Sequence, residues 1–194
     1  MRALPLAVLL AVTTLGPLSA QVKAVAPADA PRPAKELLDA AVAKGAADHK
    51  NVLVKFGASW CGWCHKFDKF LEDTTGAGQV MRANFEVVGL TILESPQYKA
   101  LENPGGLEVA KAMGANPEAT GIPWFFMLDG KGAKLGDSNG MPDGSNMGMP
   151  DKADEVVAFM DLLKRTAPKM TERERALIKT HLDSLAGRKA VITP

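Results

Sequence analysis

The sequence predicts an α/β fold with helices on both faces of a central sheet. Residues 52–56 form a nearly continuous apolar run rich in valine, which is typical of a buried strand. Residues 85–92 give a second strand, and residues 122–128 give a third that is entered through a proline and ends at a hairpin turn. Helical patterns separate these strands, and this alternation favours a sheet that is covered on both sides.

The predicted helices follow from the spacing of apolar side chains. Residues 34–47 place apolar side chains at helical intervals between lysines and aspartates, and residues 65–71 do so with phenylalanine and leucine. Shorter helical pieces are predicted near residues 80–83 and at residues 107–113. Residues 93–106 contain two prolines and no clear periodicity, so they are predicted to be an inserted loop.

Two helices close the chain. Asp151 is predicted to cap the first of them, and Thr171 with Glu174 forms a capping box that starts the second. Each helix has a predicted apolar face, made of Val156, Phe159, Met160 and Leu163 in the first and of Leu177, Ile178, Leu182 and Leu185 in the second.

The bulk composition is that of one ordinary globular domain. The chain has 194 residues, of which 46% are hydrophobic and 23% are charged, and its formal net charge is +1. With so little net charge, no electrostatic field favours nucleic acid or an anionic membrane surface as a partner. No apolar run in the sequence is long enough to span a bilayer.

The N-terminus has the layout of a secretory signal. An arginine precedes a short apolar stretch, and small residues follow it up to Ala20. We therefore expect a signal peptide at residues 1–20 that is cleaved before Gln21, and a periplasmic or secreted protein without a stable membrane span; a retained anchor is the alternative. Residues 21–33 are rich in alanine and proline and are predicted to be a disordered linker before a domain at residues 34–187.

The only two cysteines of the chain, Cys61 and Cys64, are separated by two residues. A disulfide between them would close a loop so short that it removes little chain entropy, so the pair is placed for chemistry rather than for stability. Two interpretations are open. Cys-x-x-Cys at the junction of a strand and a helix indicates a redox dithiol, whereas Cys-x-x-Cys-His indicates attachment of a c-type haem with His65 as axial ligand. The preceding strand favours the dithiol.

Two segments closely resemble the site motifs of the thioredoxin superfamily, and most of all those of its exported thioredoxin-like members. They are residues 56–66 (Phe-Gly-Ala-Ser-Trp-Cys-Gly-Trp-Cys-His-Lys) and residues 120–123 (Thr-Gly-Ile-Pro). The resemblance covers roughly residues 35–165 and leaves the final helix, residues 168–187, outside. It implies a thioredoxin-like fold, with a central mixed sheet, helices on both faces and an extra C-terminal helix. It also implies a protein disulfide oxidoreductase without a cofactor, whose partners are client proteins that carry a disulfide or dithiol and a redox partner protein.

Chemistry assigns roles to the residues of the first motif. A thiolate is the nucleophile in disulfide exchange, and the N-terminus of a helix lowers the pKa of a thiol placed there. Cys61 is therefore the predicted nucleophile, and Cys64, one turn later, is the predicted resolving thiol. Trp60 and Trp63 are predicted to flank the pair with apolar surface and to help position a substrate, with core packing as the alternative.

Two further site residues come from the comparison with the superfamily. The resemblance implies that the peptide bond before Pro123 is cis and lies beside the dithiol, with the backbone of Ile122 free to pair with a client strand. Many thioredoxins carry a buried acid six positions before the first cysteine, whereas this chain has Lys55 there. A cation at that position stabilises a thiolate, which makes Lys55 a candidate for tuning the pKa of a thiol; a lysine that reaches solvent is the alternative.

A repeated segment leaves one more alternative open. Residues 138–143 recur, with one insertion, as residues 145–151, and the two copies contain Met141, Met147 and Met149. Thioether sulfurs in an exported loop bind Cu(I), so a copper-handling protein is an alternative to the redox enzyme, although a flexible surface loop explains the repeat as well. No further cysteine and no pair of spaced histidines supports a zinc site, and the redox interpretation assigns no metal.

Overall fold

The structure is a computed structural model that describes residues 30–190, apart from the side chains of residues 186 and 188–190. The predicted signal peptide and most of the predicted linker therefore lie outside the described residues. Within the described part of the chain, no helix is both long and apolar enough to cross a membrane.

Four strands form the central sheet. Their bounds are Asn51–Gly57 for β1, Phe85–Thr91 for β2, Trp124–Leu128 for β3 and Lys134–Asp137 for β4. The spatial order is β2-β1-β3-β4, in which β1 runs parallel to β2 and antiparallel to β3, and β3 runs antiparallel to β4. The sheet is therefore mixed, as predicted. The strand that leads to the dithiol has a neighbour on each side, and its nearly continuous apolar sequence follows from hydrophobic clusters on both faces of the sheet.

Helices surround this sheet. They are α1 (Ala34–Ala47), α2 (Gly62–Glu72), α3 (Gly76–Asn84), α4 (Gly106–Ala112), α5 (Pro117–Thr120), α6 (Ala153–Thr166) and α7 (Glu172–Ala190), and a 3₁₀ helix spans Pro96–Leu101. The sequence did not predict α5 or the 3₁₀ helix, because one or two turns are too short to show a periodic apolar face. The first turn of α3 was not predicted either, because its small residues give only a weak periodic pattern of apolar side chains.

Alternating residues of β1 face two separate hydrophobic clusters. Val52, Val54 and Phe56 point into a cluster that α1 and α4 complete. Leu53 points to the opposite side, where α2, α3, α6 and α7 pack. The strand β3 alternates in the same way, with Phe125 on the side of Leu53. Helices thus cover both faces of the sheet, which confirms the predicted fold class.

The start of α7 confirms the predicted capping box, but its apolar face is narrower than predicted. The Thr171 hydroxyl accepts the N–H of Glu174 at 3.2 Å, and the Glu174 carboxylate accepts the N–H of Thr171 at 2.7 Å. Ile178 and Leu182, one turn apart, are buried in the core, whereas Leu177 is exposed. The prediction for Leu177 is wrong because a neighbour in sequence points about 100° away around the helix axis.

The start of α6 differs from the prediction. The helix begins at Ala153, so Lys152 rather than Asp151 holds the cap position. The N–H groups of Asp151 and Lys152 donate to the carboxylate of Glu155, at 3.1 and 3.2 Å. The Glu155 carboxylate thus accepts the N–H groups at and just before the cap, whereas an aspartate cap would accept N–H groups inside the first turn.

Candidate active site

The two cysteines lie at the junction between β1 and α2. Cys61 occupies the cap position of α2, and its Sγ accepts the N–H of Cys64 at 3.1 Å. The two residues form a disulfide, and only 4% of Cys61 and 1% of Cys64 is exposed. The first N–H groups of a helix favour negative charge nearby, so the fold places the sulfur of Cys61 where a thiolate is stabilised.

The register of the sheet brings Ile122 and Pro123 next to the dithiol. β1 and β3 run antiparallel with Phe56 opposite Trp124, so the residues that precede β3 meet the residues that follow β1. The carbonyl oxygen of Ile122 lies 3.6 Å from Cys61 Sγ, although the two residues are 61 positions apart in the chain. The Ile122–Pro123 peptide bond is cis, as the resemblance implies.

Both tryptophans of the motif present surface to solvent. Trp60 is 59% exposed, and its indole N–H donates to the carbonyl of Leu93 at 2.8 Å. Trp63 is 37% exposed and lines a groove with Pro123, and the Nζ of Lys66 lies 3.8 Å from the centroid of its ring. Core packing, the alternative for these side chains, is wrong. Both rings therefore present apolar surface to solvent on either side of Cys61 in the sequence.

Lys55 lies beneath the dithiol and does not reach into solvent. Only 8% of the residue is exposed, and its Nζ forms an ion pair with a carboxylate oxygen of Asp68 on α2. A methyl group placed on Gly57 would lie 3.2 Å from Cys64 Sγ and 3.7 Å from Lys55 Nζ, so the ammonium group and the sulfur approach the same point of the backbone. The interpretation of Lys55 as a solvent-reaching side chain is therefore wrong.

His65 folds back onto the loop that precedes the helix. Its ring is exposed, and its Nε2 lies 2.7 Å from the carbonyl oxygen of Ser59. Within residues 30–190, histidine, cysteine, aspartate and glutamate side chains form no group of three or more that could hold a metal ion. This hydrogen bond ties the His65 side chain to the loop that precedes the two cysteines.

A family model described as thioredoxin-like matches residues 34–130, which is half of the chain. This chain belongs to the thioredoxin-like family. The match includes the strand, the cysteine pair and the proline-led strand, and it speaks against the c-type haem as the explanation of the Cys-x-x-Cys-His segment. A comparison with curated proteins gave no match.

Several solved structures resemble this thioredoxin-like protein. A disulphide isomerase from Xylella fastidiosa Temecula1 is 22% identical over 78% of this chain and 90% of that chain, with a TM-score of 0.45. DsbH oxidoreductase is 19% identical over 74% of this chain and 92% of that chain, with a TM-score of 0.42. The oxidised C-terminal domain of DsbD from Neisseria meningitidis is 19% identical over 56% of this chain and 84% of that chain, with a TM-score of 0.37. At these identities the likeness concerns the fold alone.

A cleft of about 350 Å³ lies beside Cys64. Lys55, Cys64, Asp68, Glu94 and Leu101 are among the residues that line it. Asp68 is a site residue that the two motifs do not reveal. It follows Cys64 by four positions, one turn along the same side of α2, and this helical spacing is the signal that could have found it. The buried Cys64 side chain thus borders this cleft.

The predicted inserted loop, residues 93–106, is fastened to the dithiol loop. The buried carboxylate of Glu94 accepts the N–H and the hydroxyl of Ser59, at 2.5 and 2.7 Å. Farther along, Asn103 Oδ1 accepts the N–H of Thr91 at 2.7 Å, and its Nδ2 donates to the backbone just before α1 at 2.9 Å. The 93–106 loop thus joins the dithiol segment, the end of β2 and the start of the domain.

The methionines of the 138–151 loop do not form an exposed cluster of sulfur ligands. Met147 and Met149 are buried in the cluster that α6 covers, and Met141 packs against that cluster. In the exposed part of this loop, hydrogen bonds from the side chain and the backbone of Ser145 lower the pKa of Asp143. The loop is therefore packed against the core, and the copper interpretation loses the flexible, sulfur-presenting loop that it needs.

Replacing Gly57 with alanine is expected to disturb the packing of Cys64. The added methyl group would lie 3.1 Å from Cys64 Cβ and 3.2 Å from its Sγ, so these atoms must move. We expect the free energy of unfolding of the oxidised protein, measured by urea denaturation, to fall by about 1–2 kcal/mol. Gly62→Ala is the control, because it lies in the first turn of α2 with nothing within 4 Å of the new methyl group. Equal stability of the two variants would contradict this expectation.

Proposed function

We propose that this protein is an exported thiol–disulfide oxidoreductase that exchanges its Cys61–Cys64 dithiol or disulfide with client proteins. One observation carries the proposal: the sulfur of Cys61 lies at the N-terminus of α2 and 3.6 Å from the carbonyl oxygen of Ile122. The helix N-terminus stabilises the thiolate, which is the reactive form, and the adjacent backbone gives a client segment a place to pair.

The bonds that form and break in the exchange are those between the sulfurs of the two cysteines and of the client. In the reductive direction, the Cys61 thiolate attacks one sulfur of the client disulfide, a mixed disulfide forms, and the second client sulfur leaves as a thiolate. The Cys64 thiolate then attacks Cys61 Sγ. This step closes the Cys61–Cys64 disulfide and releases the client as a dithiol, so two electrons pass to the client. The reverse sequence oxidises a client dithiol.

The surroundings of the two sulfurs support this division of roles. Cys61 Sγ accepts a backbone N–H and faces the Ile122 backbone, where a client would lie, whereas Cys64 is deeper and borders the cleft. Before Cys64 can resolve the mixed disulfide, its thiol must lose a proton. Asp68 and Glu94 both line the cleft beside Cys64, and we propose Asp68, one turn from Cys64 on α2, as the carboxylate that receives that proton.

Exposed apolar side chains support a polypeptide as the client. In the 3₁₀ helix, side chains three residues apart eclipse each other, so Tyr98 and Leu101 lie on one side, and both are about half exposed. Leu101 also lines the cleft that contains Cys64. With Trp60 and Trp63, these side chains offer apolar surface that a polypeptide segment can cover.

Export is proposed from the N-terminal sequence, which lies outside the described residues. The charged start, apolar stretch and small residues of positions 1–20 are those of a secretory signal. A periplasmic or extracellular compartment is oxidising and sustains disulfide chemistry. In such a compartment the protein exchanges electrons with a redox partner protein as well as with its clients.

The reduction potential of the cysteine pair tests the proposed function. The protein is equilibrated with defined thiol–disulfide buffers, the free thiols are alkylated, and the reduced fraction is read as a mass shift. We expect one two-electron transition between about −270 and −120 mV, the range of thioredoxin-fold exchange proteins. A structural disulfide is reduced only below about −300 mV, and such a value would refute the proposal. The double variant Cys61→Ser and Cys64→Ser sets the baseline of the mass shift.

A further inference from the structure

The repeated segment of residues 138–151 contributes an asparagine from each copy to the start of β3. In the first copy, Asn139 Oδ1 accepts the indole N–H of Trp124 at 3.0 Å. In the second copy, Asn146 Nδ2 donates to the carbonyl of Pro123 at 3.0 Å. Both asparagines thus bind near the start of β3, but Asn139 accepts from a side chain whereas Asn146 donates to the backbone.

Asn146 binds the backbone on both sides of Ile122. Besides its bond to Pro123, Asn146 Nδ2 lies 3.2 and 3.5 Å from the carbonyl oxygens of the two residues that precede Ile122. The carbonyl oxygen of Ile122 itself lies 3.6 Å from Cys61 Sγ. Within residues 30–190, Ile122 takes part in no backbone–backbone hydrogen bond. The backbone polar groups next to the dithiol are thus kept open for another partner.

Asn146 is itself held in place. Its Oδ1 accepts the N–H of Gly148 at 3.0 Å, which fixes the amide with its nitrogen towards the strand. The N–H of Met147 donates to the carbonyl of Ser138 at 2.8 Å, and both Met147 and Met149 are buried in the core. A side chain that is fixed from its own loop and from the core gives a preorganised support for a binding site.

We propose that Asn146 is a positioning residue for client binding. It fixes the carbonyl groups around Ile122, so that the Ile122 backbone can pair with an extended client segment beside the client disulfide. The inference rests on the proposed function and adds to it the side chain that holds the client-binding backbone in position. The packed methionines of the 138–151 loop hold Asn146 in position. No covalent step involves Asn146, so a disulfide without a peptide backbone does not need it.

Asn146→Asp is the test, and Asn139→Asp is its matched control. Both changes add one charge to the same loop, but the first replaces a donor with a carboxylate that faces carbonyl oxygens, whereas the second keeps an acceptor for Trp124. Exchange is measured on the whole chain with a short peptide cyclised by one disulfide and with cystamine, a small disulfide without a peptide backbone. For Asn146→Asp we expect KM for the peptide to rise about tenfold, with kcat and cystamine exchange nearly unchanged. Asn139→Asp should retain the wild-type constants.

A second variant, together with the comparison of the cyclised peptide and cystamine, separates the possible outcomes of the test. Asn146→Ala removes the donor without adding a charge, and it should also raise KM for the peptide while thermal unfolding shows a folded protein. The inference is overturned if KM for the peptide is the same in Asn146→Asp and Asn139→Asp. It is also overturned if cystamine exchange falls as much as peptide exchange, because Asn146 would then act on the dithiol itself. Failure of the wild type to exchange with either disulfide would refute the proposed function, and the inference with it.

Discussion

Replacing Cys64 with serine is expected to leave client proteins covalently attached to Cys61. In the wild type, the resolving thiol lies one helical turn from Cys61 and attacks the mixed disulfide within the same molecule, which is far faster than attack by a free thiol. Without that thiol, the mixed disulfide persists until an external thiol reaches it. Non-reducing electrophoresis followed by mass spectrometry should show client proteins joined to Cys61 in Cys64→Ser, and almost none in the wild type.

Cys61→Ser is the matched control for this trapping experiment. It removes the cysteine at the cap of α2 and leaves Cys64, of which only 1% is exposed in the disulfide form. Cys64 lies inside α2 and lacks the cap position that stabilises a thiolate at Cys61, so we expect no trapped complexes. Equal trapping by the two variants, or complexes joined through Cys64 alone, would reverse the assigned roles of nucleophile and resolving thiol.

Lys55→Asp is expected to lower both the free energy of unfolding and the reduction potential of the cysteine pair. The change replaces an ion pair with two carboxylates, one on β1 and one at Asp68, in a site where the lysine side chain is 10% exposed. Breaking a buried pair in this way costs about 3–5 kcal/mol, and the solvent that reaches a third of the Asp68 side chain reduces the expected loss to roughly 2–3 kcal/mol. Nearby negative charge also disfavours a thiolate, so the reduced form loses stability and the reduction potential falls by about 30 mV for each 1.4 kcal/mol.

The double variant Lys55→Asp with Asp68→Lys is the control for this experiment. It restores one cation and one anion at the same two positions, so most of the stability and of the reduction potential should return. Urea denaturation gives the free energy of unfolding, and alkylation in thiol–disulfide buffers gives the potential. If Lys55→Asp alone changes neither quantity, the ion pair has no influence on the dithiol.

Features that repeat or that carry chemistry in a short segment could be predicted from the sequence. The run 52–56 identified the central strand because it is buried on both faces, and the spacing of Cys61 and Cys64 identified the dithiol because exchange needs two sulfurs within reach. Pro123 was assigned to the site only through the resemblance, since nothing local to it points to residues about sixty positions earlier. The antiparallel register of β1 and β3 is what joins the two motifs.

The residues that sequence reasoning missed depend on contacts between distant segments. Glu94 lies in a loop with two prolines and gives no local sign that its carboxylate binds Ser59. Asn146 is one of several polar residues in a Gly-rich loop, and only the folded chain shows that its amide reaches the start of β3. Lys55 lines the cleft beside Cys64, but the charge effect predicted for it did not include its ion pair with Asp68. An ion pair between a strand and a helix is a property of their packing.

The family match ends at residue 130, but residues beyond that position also contribute to the hydrophobic core. Past that limit, side chains from three later segments fill the cluster on the Leu53 side of the sheet, and among them are Met147, Met149, Val156, Phe159, Leu162, Leu163, Met170, Ile178 and Leu182. An expression fragment trimmed to the matched region would leave that side of β1 and β3 open to water and would be prone to aggregate. A recombinant fragment of this protein should therefore contain every segment that contributes to the hydrophobic core, including α7.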